Sequence, residues 1–214
     1  MATRIKELKL IKKLFKSLQY KSRYSSPKLD KSHEGNISKD NALIELAKIF
    51  SQNDEKIVSS VALYINDKKA YFLENEDVLC ERCIDSELEL ENEIVLIDAL
   101  SASKYIVYID HAEEADLTLK YLDELSGNHL SERDDFVELI ETYKATGKYN
   151  AIANFISDSK IGPMPFDCIK SAGYSLANID EGSDSLALIL VKNGLKNEIE
   201  ALTKSAALNF KFLG

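Results

Sequence analysis

Two short acidic segments hold the side chains of this sequence that are best suited to chemistry. Carboxylate oxygens bind hard cations, and a cluster of them also attracts a basic protein surface. The second segment, IDEGSDS, does not have the Asp-x-Asp-x-Asp-Gly pattern of an EF-hand loop. The ionisable residues are Asp110, His111, Glu113 and Glu114 in the first segment, and Asp180, Glu181 and Asp184 in the second.

A plain structural role also accounts for IDEGSDS, because it lies between two apolar runs that need a turn. Gly182 tolerates a positive φ angle, and the carboxylates of Asp180 and Asp184 can accept hydrogen bonds from backbone amides. A binding role requires a second group nearby. Asp110 supplies one if its strand lies beside one of the two later strands in a suitable direction.

The elements that would position these residues indicate an α+β fold. KYIVYID (residues 104–110) predicts a strand with two apolar faces, which is typical of the interior of a sheet. YSLANID and SLALILV predict two more strands, and NFKFL a short last one. Helical spacing dominates elsewhere, including residues 54–65. We expect a helical N-terminal third followed by a mixed β-sheet packed with helices, in the order α-β-α-α-α-β-β-α-β from residue 91.

The chain divides into three parts by composition. Residues 1–20 predict a basic amphipathic helix, because apolar residues recur every three or four positions from residue 2 onward. Residues 21–38 are polar and contain Ser, Pro and Gly, which predicts a linker or loop. Residues 39–214 predict a single acidic α+β domain. The helix at 2–20 is expected to pack through its apolar stripe, with contact to a membrane surface as the alternative.

Charge is distributed unevenly along the chain. Residues 1–32 hold ten Lys or Arg and two Asp or Glu, a sum of +8; the remaining 17 basic and 34 acidic residues sum to −17. A body of this charge repels phosphate, which argues against direct nucleic-acid binding by residues 33–214. The same charge predicts a basic protein partner.

Two long segments resemble an uncharacterised bacterial domain family. They are ALSASKYIVYIDHAEEADLTLKYLDEL and the C-terminal GYSLANIDEGSDSLALILVKNGLKNEIEALTKSAALNFKFL, within residues 91–214. The features that carry the resemblance are the strand ending in Asp110 and the turn Ser183-Asp184-Ser185. His111 stands where the family has tryptophan. The resemblance implies a bacterial cytoplasmic protein of a kind that includes antitoxin-like immunity proteins, and it transfers no catalytic residues.

Other sequence signals predict neither cofactor nor metal. Cys80 and Cys83 have CxxC spacing, but no second CxxC or His pair completes a zinc site, so we interpret them as helix residues one turn apart. Three cysteines favour a reducing cytoplasm. Asp98, in the apolar run IVLIDAL, is expected to face outward or cap locally, with a buried, perturbed carboxylate as the alternative. Hydrolase and nucleotide-binding motifs are missing.

The sequence therefore favours a non-enzymatic protein-binding module, an immunity-like protein that neutralises a basic, nuclease-type toxin. Two alternatives remain open: a metal-dependent enzyme or binder that uses carboxylates near Asp110 and Asp184, and a peripheral membrane protein docked by helix 2–20. No catalytic residue and no metal ligand is assigned. The residues predicted to face the partner are Asp110, Glu113, Glu114, Glu181 and Asp184.

Overall fold

The computed structural model describes residues 38–110, 113–146 and 165–213. The predicted helix at 2–20 and almost all of the predicted linker lie outside these residues, as does a short helix predicted at 148–157. The division of the chain into helix, linker and domain therefore stays a prediction.

Three helices open the described part, and each begins at a polar residue that caps it. They are α1 (Lys39–Phe50), α2 (Glu55–Asn66) and α3 (Lys68–Glu81). Ser38 Oγ accepts from the Asn41 N–H at 3.3 Å. The carboxylates of Asp54 and Asp67 likewise accept hydrogen bonds from backbone N–H groups at the starts of α2 and α3. Such caps satisfy amides that the first helical turn leaves unpaired. The helix predicted at 54–65 is confirmed.

The remaining helices and strands follow one another in the predicted order. A 3-10 turn at Glu87–Glu89 precedes them, and a second, Asn193–Leu195, follows β3. The elements are α4 (Asn92–Ser101), β1 (Val107–Asp110), α5 (Ala115–Leu125), α6 (Asp134–Thr146), α7 (Pro165–Ser171), β2 (Tyr174–Ile179), β3 (Ser185–Lys192), α8 (Lys196–Ser205) and β4 (Phe210–Leu213).

The four strands form one sheet in the order β1-β3-β2-β4, and all three pairings are antiparallel. The predicted α+β class is confirmed, whereas the expectation of a mixed sheet is corrected. β3 and β4 run in the same direction, as a helical crossover through α8 requires. β2 lies between them, however, so every neighbouring pair is antiparallel.

The strand at residues 104–110 differs from its prediction in two ways. It begins at Val107, because Lys104 adopts a φ of 60° and the Tyr105 N–H bonds the Leu100 carbonyl at 3.0 Å to close helix α4. It also lies at an edge of the sheet and not in its interior. Tyr108 of this strand points outward, and 40% of its surface is exposed. Tyrosine carries a hydroxyl that can meet polar groups, so its presence does not require burial on both faces.

Helices cover both faces of the sheet and form two apolar cores. One core joins α1–α4 and α8 to the face that carries Ala177, Ile179 and Ile189. The other joins α5–α7 to the face that carries Val107, Leu176 and Leu188. Adjacent strand residues point to opposite faces, which explains why β3 carries an unbroken apolar run from Leu186 to Val191. Among the described helices, none is both long and apolar enough to cross a membrane.

Candidate functional site

The two acidic segments meet at one corner of the sheet. β1 pairs with β3 in a register that sets Asp110 opposite Ser185, so the end of β1 lies beside the turn that leads into β3. The strand that ends in Asp110 therefore lies beside a later strand in the direction that a joint acidic site requires. Residues 105–119 and 171–191 contain seven Asp or Glu and no Lys or Arg. We call this corner, defined by Asp110, Glu113, Glu114, Asp180 and Asp184, the acidic edge.

The turn between β2 and β3 is held by its own polar side chains. Asp180 Oδ1 accepts from the Gly182 N–H at 2.9 Å, and Ser183 Oγ accepts from the Ser185 N–H at 3.1 Å. Gly182 adopts a φ of 81°, a conformation that residues with a Cβ rarely adopt. The interpretation of IDEGSDS as a turn is confirmed, including the backbone-holding role of Asp180.

Arg82 connects this turn to the helical layer. It follows α3, and its guanidinium forms ion pairs with Asp98 of α4 and with Glu181 of the turn. The exposed fractions of the three side chains are 20% for Arg82, 13% for Asp98 and 6% for Glu181. One arginine thus bridges two largely buried carboxylates, and we call these three residues the ion cluster.

Tyr108 lies over the ion cluster at the surface. Its hydroxyl donates a hydrogen bond to Glu181 Oε1, and the Arg82 guanidinium carbon lies 5.2 Å from the centre of its ring. Ser183 Oγ also donates to Glu181 Oε1, at 3.0 Å. A cation over an aromatic ring and a hydroxyl bonded to a carboxylate both restrict ring motion. Tyr108 is therefore a partly exposed, fixed aromatic group beside the acidic edge.

Asp98 carries a perturbed carboxyl group. Burial raises its pKa above the ordinary value, and the Arg82 charge offsets part of that rise. Its Oδ2 atom is buried and accepts no hydrogen bond from the described residues. Burial of Tyr71 raises the pKa of its phenol, and the negative charge of Asp98 raises that pKa further. The expectation that Asp98 faces outward is therefore wrong, because α4 is covered on both sides and Arg82 supplies its partner.

The five predicted partner-facing residues divide into two groups. Asp110, Glu114 and Asp184 are exposed and Glu113 is half-buried. Glu181 differs, because its carboxylate is taken up by Arg82, Tyr108 and Ser183. It therefore belongs to the ion cluster that supports the edge.

The family to which the chain belongs follows from a comparison with protein-family models. The model of DUF6630, a domain of unknown function, matches residues 42–157, more than half of the 214-residue chain. The chain belongs to this family. The resemblance to an uncharacterised domain family is confirmed, although the match begins at α1 and ends before β2. No curated protein and no solved structure was found to match the chain.

The DUF6630 match includes one part of the site and leaves out another. Arg82, Asp98, Tyr108 and the acidic segment that begins at Asp110 lie within residues 42–157. The turn that carries Glu181 and Asp184 lies beyond them. The ion cluster of this DUF6630 chain thus joins the matched region to the C-terminal strands.

Sequence reasoning did not identify Arg82 or Tyr108 as site residues. Arg82 lies in the CERC segment, whose recognisable pattern is the CxxC spacing of the cysteines. Its contact with Glu181 spans 99 positions of the sequence. A weak signal was present, since Arg82 is the one arginine between Arg23 and Arg133.

Cys80 and Cys83 are exposed and not disulfide-bonded. In the described part of the chain, no three His, Cys, Asp or Glu side chains are grouped as a metal site would require.

Proposed function

We propose that this DUF6630 chain is a cytoplasmic, non-enzymatic binding module that holds a basic protein domain through its acidic edge. The observation that carries the proposal is the β1–β3 register, which joins two segments that contain no Lys or Arg. A partner that cleaves nucleic acid needs a basic groove, and such a groove is complementary to this edge. An immunity-like protein that masks a nuclease-type toxin fits this chemistry.

The ion cluster supports the proposal because it neutralises the arginine that contacts the β2–β3 turn. Arg82 bridges Asp98 and Glu181, so its charge is matched by two carboxylates. The exposed side chains of Asp110, Glu114 and Asp184 contribute the negative charge of the acidic edge. Because Asp180 holds the turn and Tyr108 is fixed, the edge needs little ordering when a partner binds, and this lowers the entropic cost of association.

Tyr108 supplies the aromatic contact that charged residues alone lack. Interface residues that dominate binding free energy are often Tyr, Trp or Arg at the centre of the contact. The exposed part of the Tyr108 ring lies on β1 among the acidic residues, and a lysine or arginine of the partner can stack on it.

Co-expression tests the proposed function. The chain should restore growth of cells that produce a basic nuclease-type domain encoded beside its gene. Tyr108→Ala should weaken binding of that domain by about tenfold or more, since an aromatic anchor contributes about 2 kcal/mol. Tyr121→Ala is the matched control, because Tyr121 on α5 is 36% exposed and lies outside the acidic edge. Equal losses in both variants, or no effect in either, would argue against the assignment.

A further inference from the structure

The strand at the opposite edge of the sheet, β4, has backbone groups that pair with no described residue. The Asp180 N–H bonds the Asn209 carbonyl at 2.8 Å, which marks these two residues as a hydrogen-bonded pair of the ladder, although the Asn209 N–H itself donates to Glu93 Oε1 at 2.6 Å. Such pairs alternate along antiparallel strands, which makes Asn178 and Lys211 the next one. The N–H and C=O groups of Phe210 and Phe212 must then point away from β2. No described residue forms a hydrogen bond with these four groups.

A groove runs beside this edge, between α8 and β4. Its volume is about 470 Å³. The Phe210 ring stacks on Phe50 with centroids 6.0 Å apart, and the Phe212 ring lies 4.7 Å from Lys196 Nζ. Both rings are half-buried, so their outer surfaces form part of the wall. The lining residues are Glu200, Thr203, Lys204, Leu208, Phe210, Lys211 and Phe212.

The charge around the groove is opposite to that of the acidic edge. Lys204 and Lys211 are both exposed, and neither forms an ion pair with another described residue. Lys196 lies over Phe212 at the same side. One acidic side chain, Glu200, lines the groove with them. In residues 33–214, which sum to −17, this is a local basic site.

We propose that β4 binds an extended acidic segment of a partner protein, which adds to the sheet as a fifth strand. Main-chain hydrogen bonds to Phe210 and Phe212 would supply affinity, and alternate side chains would enter the groove beside the two rings. Glutamate or aspartate on the segment would meet Lys204 and Lys211. This surface lies on β4, at the other edge of the sheet from β1, and the proposal does not depend on the toxin-binding role.

Three labelled peptides of about eight residues test the proposal on the full chain. One alternates valine with glutamate, the second is its fully N-methylated form, and the third replaces glutamate with lysine. Fluorescence anisotropy should show binding of the first with a Kd below about 1 mM, and at least about tenfold weaker binding of the other two. The N-methylated peptide keeps its charge but cannot donate main-chain hydrogen bonds, so it separates strand pairing from charge attraction.

Lys211→Glu should weaken binding of the acidic peptide by about tenfold, since it places like charges together. Lys69→Glu is the control, because Lys69 is exposed on α3 and carries the same change of charge. Circular dichroism spectra should show that both variants fold. Equal binding of all three peptides, no binding of the acidic one, or a dimer that this peptide does not displace would overturn the proposal.

Discussion

Asp98 is the residue at which charge and burial are in clearest conflict. Its carboxylate is paired with Arg82 on one oxygen, while Oδ2 is buried and accepts no hydrogen bond from the described residues. A buried charge is stable when paired and fully hydrogen-bonded, and Asp98 meets the first condition and not the second. Burial therefore raises its pKa above the ordinary value of 3.8 despite the adjacent guanidinium.

The raised pKa of Asp98 predicts a pH-dependent stability. Between its ordinary and raised pKa values the folded protein binds more protons than the unfolded chain, so the free energy of unfolding falls as pH rises through that window. Asp98→Asn removes this contribution. The stability of the wild type relative to Asp98→Asn should therefore decrease as the pH rises above the ordinary pKa of 3.8, as measured by urea unfolding.

Asp77→Asn provides the control for this measurement. Asp77 is exposed on α3, and Asp77→Asn makes the same chemical change outside the ion cluster. A wild type that gains stability relative to Asp98→Asn as pH rises would mean that Arg82 outweighs burial at this carboxyl group.

The sequence predicted the acidic residues of the site but not their support. Asp180 and Gly182 act within a few positions of each other, so turn chemistry was sufficient to predict them. Arg82 and Glu181 meet only in the folded chain, and no local pattern encodes a contact over 99 positions. Glu181 was therefore predicted to face a partner, although an internal ion pair holds it.

At the scale of elements, several helices end in a left-handed residue that is not glycine. Ala207 follows α8 with a φ of 51°. The Leu208 N–H bonds the Thr203 carbonyl at 2.9 Å and the Ala207 N–H bonds the Lys204 carbonyl at 3.2 Å. This is the Schellman arrangement, in which glycine is preferred because a Cβ is strained at positive φ.

Ala207→Gly should stabilise the protein by about 1 kcal/mol, because it removes that strain at an exposed position. Ala201→Gly, in the interior of α8, should instead destabilise it by about 1 kcal/mol. Thermal or urea unfolding of the two variants measures both effects. Destabilisation of similar size in both would show that backbone entropy outweighs the conformational strain at Ala207.

Element order was predictable because apolar periodicity differs between helices and strands. The paired strands β2 and β3 are apolar at successive positions and the helices repeat every three or four residues, so the order from residue 91 was found. The sheet position of β1 was not predictable in this way. Tyr108 was counted as apolar, whereas its ring lies beside Arg82 and its hydroxyl bonds Glu181, contacts that exist only in the folded chain.

At the scale of the whole described unit, the two outer strands of the sheet differ in charge and in chemistry. β1 ends at the acidic edge, with Tyr108 exposed and its nearby cation paired. β4 adjoins an aromatic groove with two lysines. We propose that the first surface holds a basic domain and the second an acidic strand, and the variants described for each surface test them one at a time.

The central claim is that charge at the acidic edge drives association with a basic partner. In a triple variant, Asp110, Glu114 and Asp184 are changed to lysine. In a control of equal net charge, Glu74, Glu124 and Glu138 are changed, which are exposed on α3, α5 and α6. Charges beside an interface act mainly on the association rate and its dependence on salt.

Stopped-flow association with a basic nuclease-type domain, measured over a series of salt concentrations, tests this claim most directly. The edge variant should associate about tenfold or more slowly than wild type at low salt and with a shallower salt dependence, while the control variant changes much less. Equal rates and equal salt slopes for the wild type and the edge variant would contradict the account, and the carboxylates of the edge would then be an ordinary solvated surface.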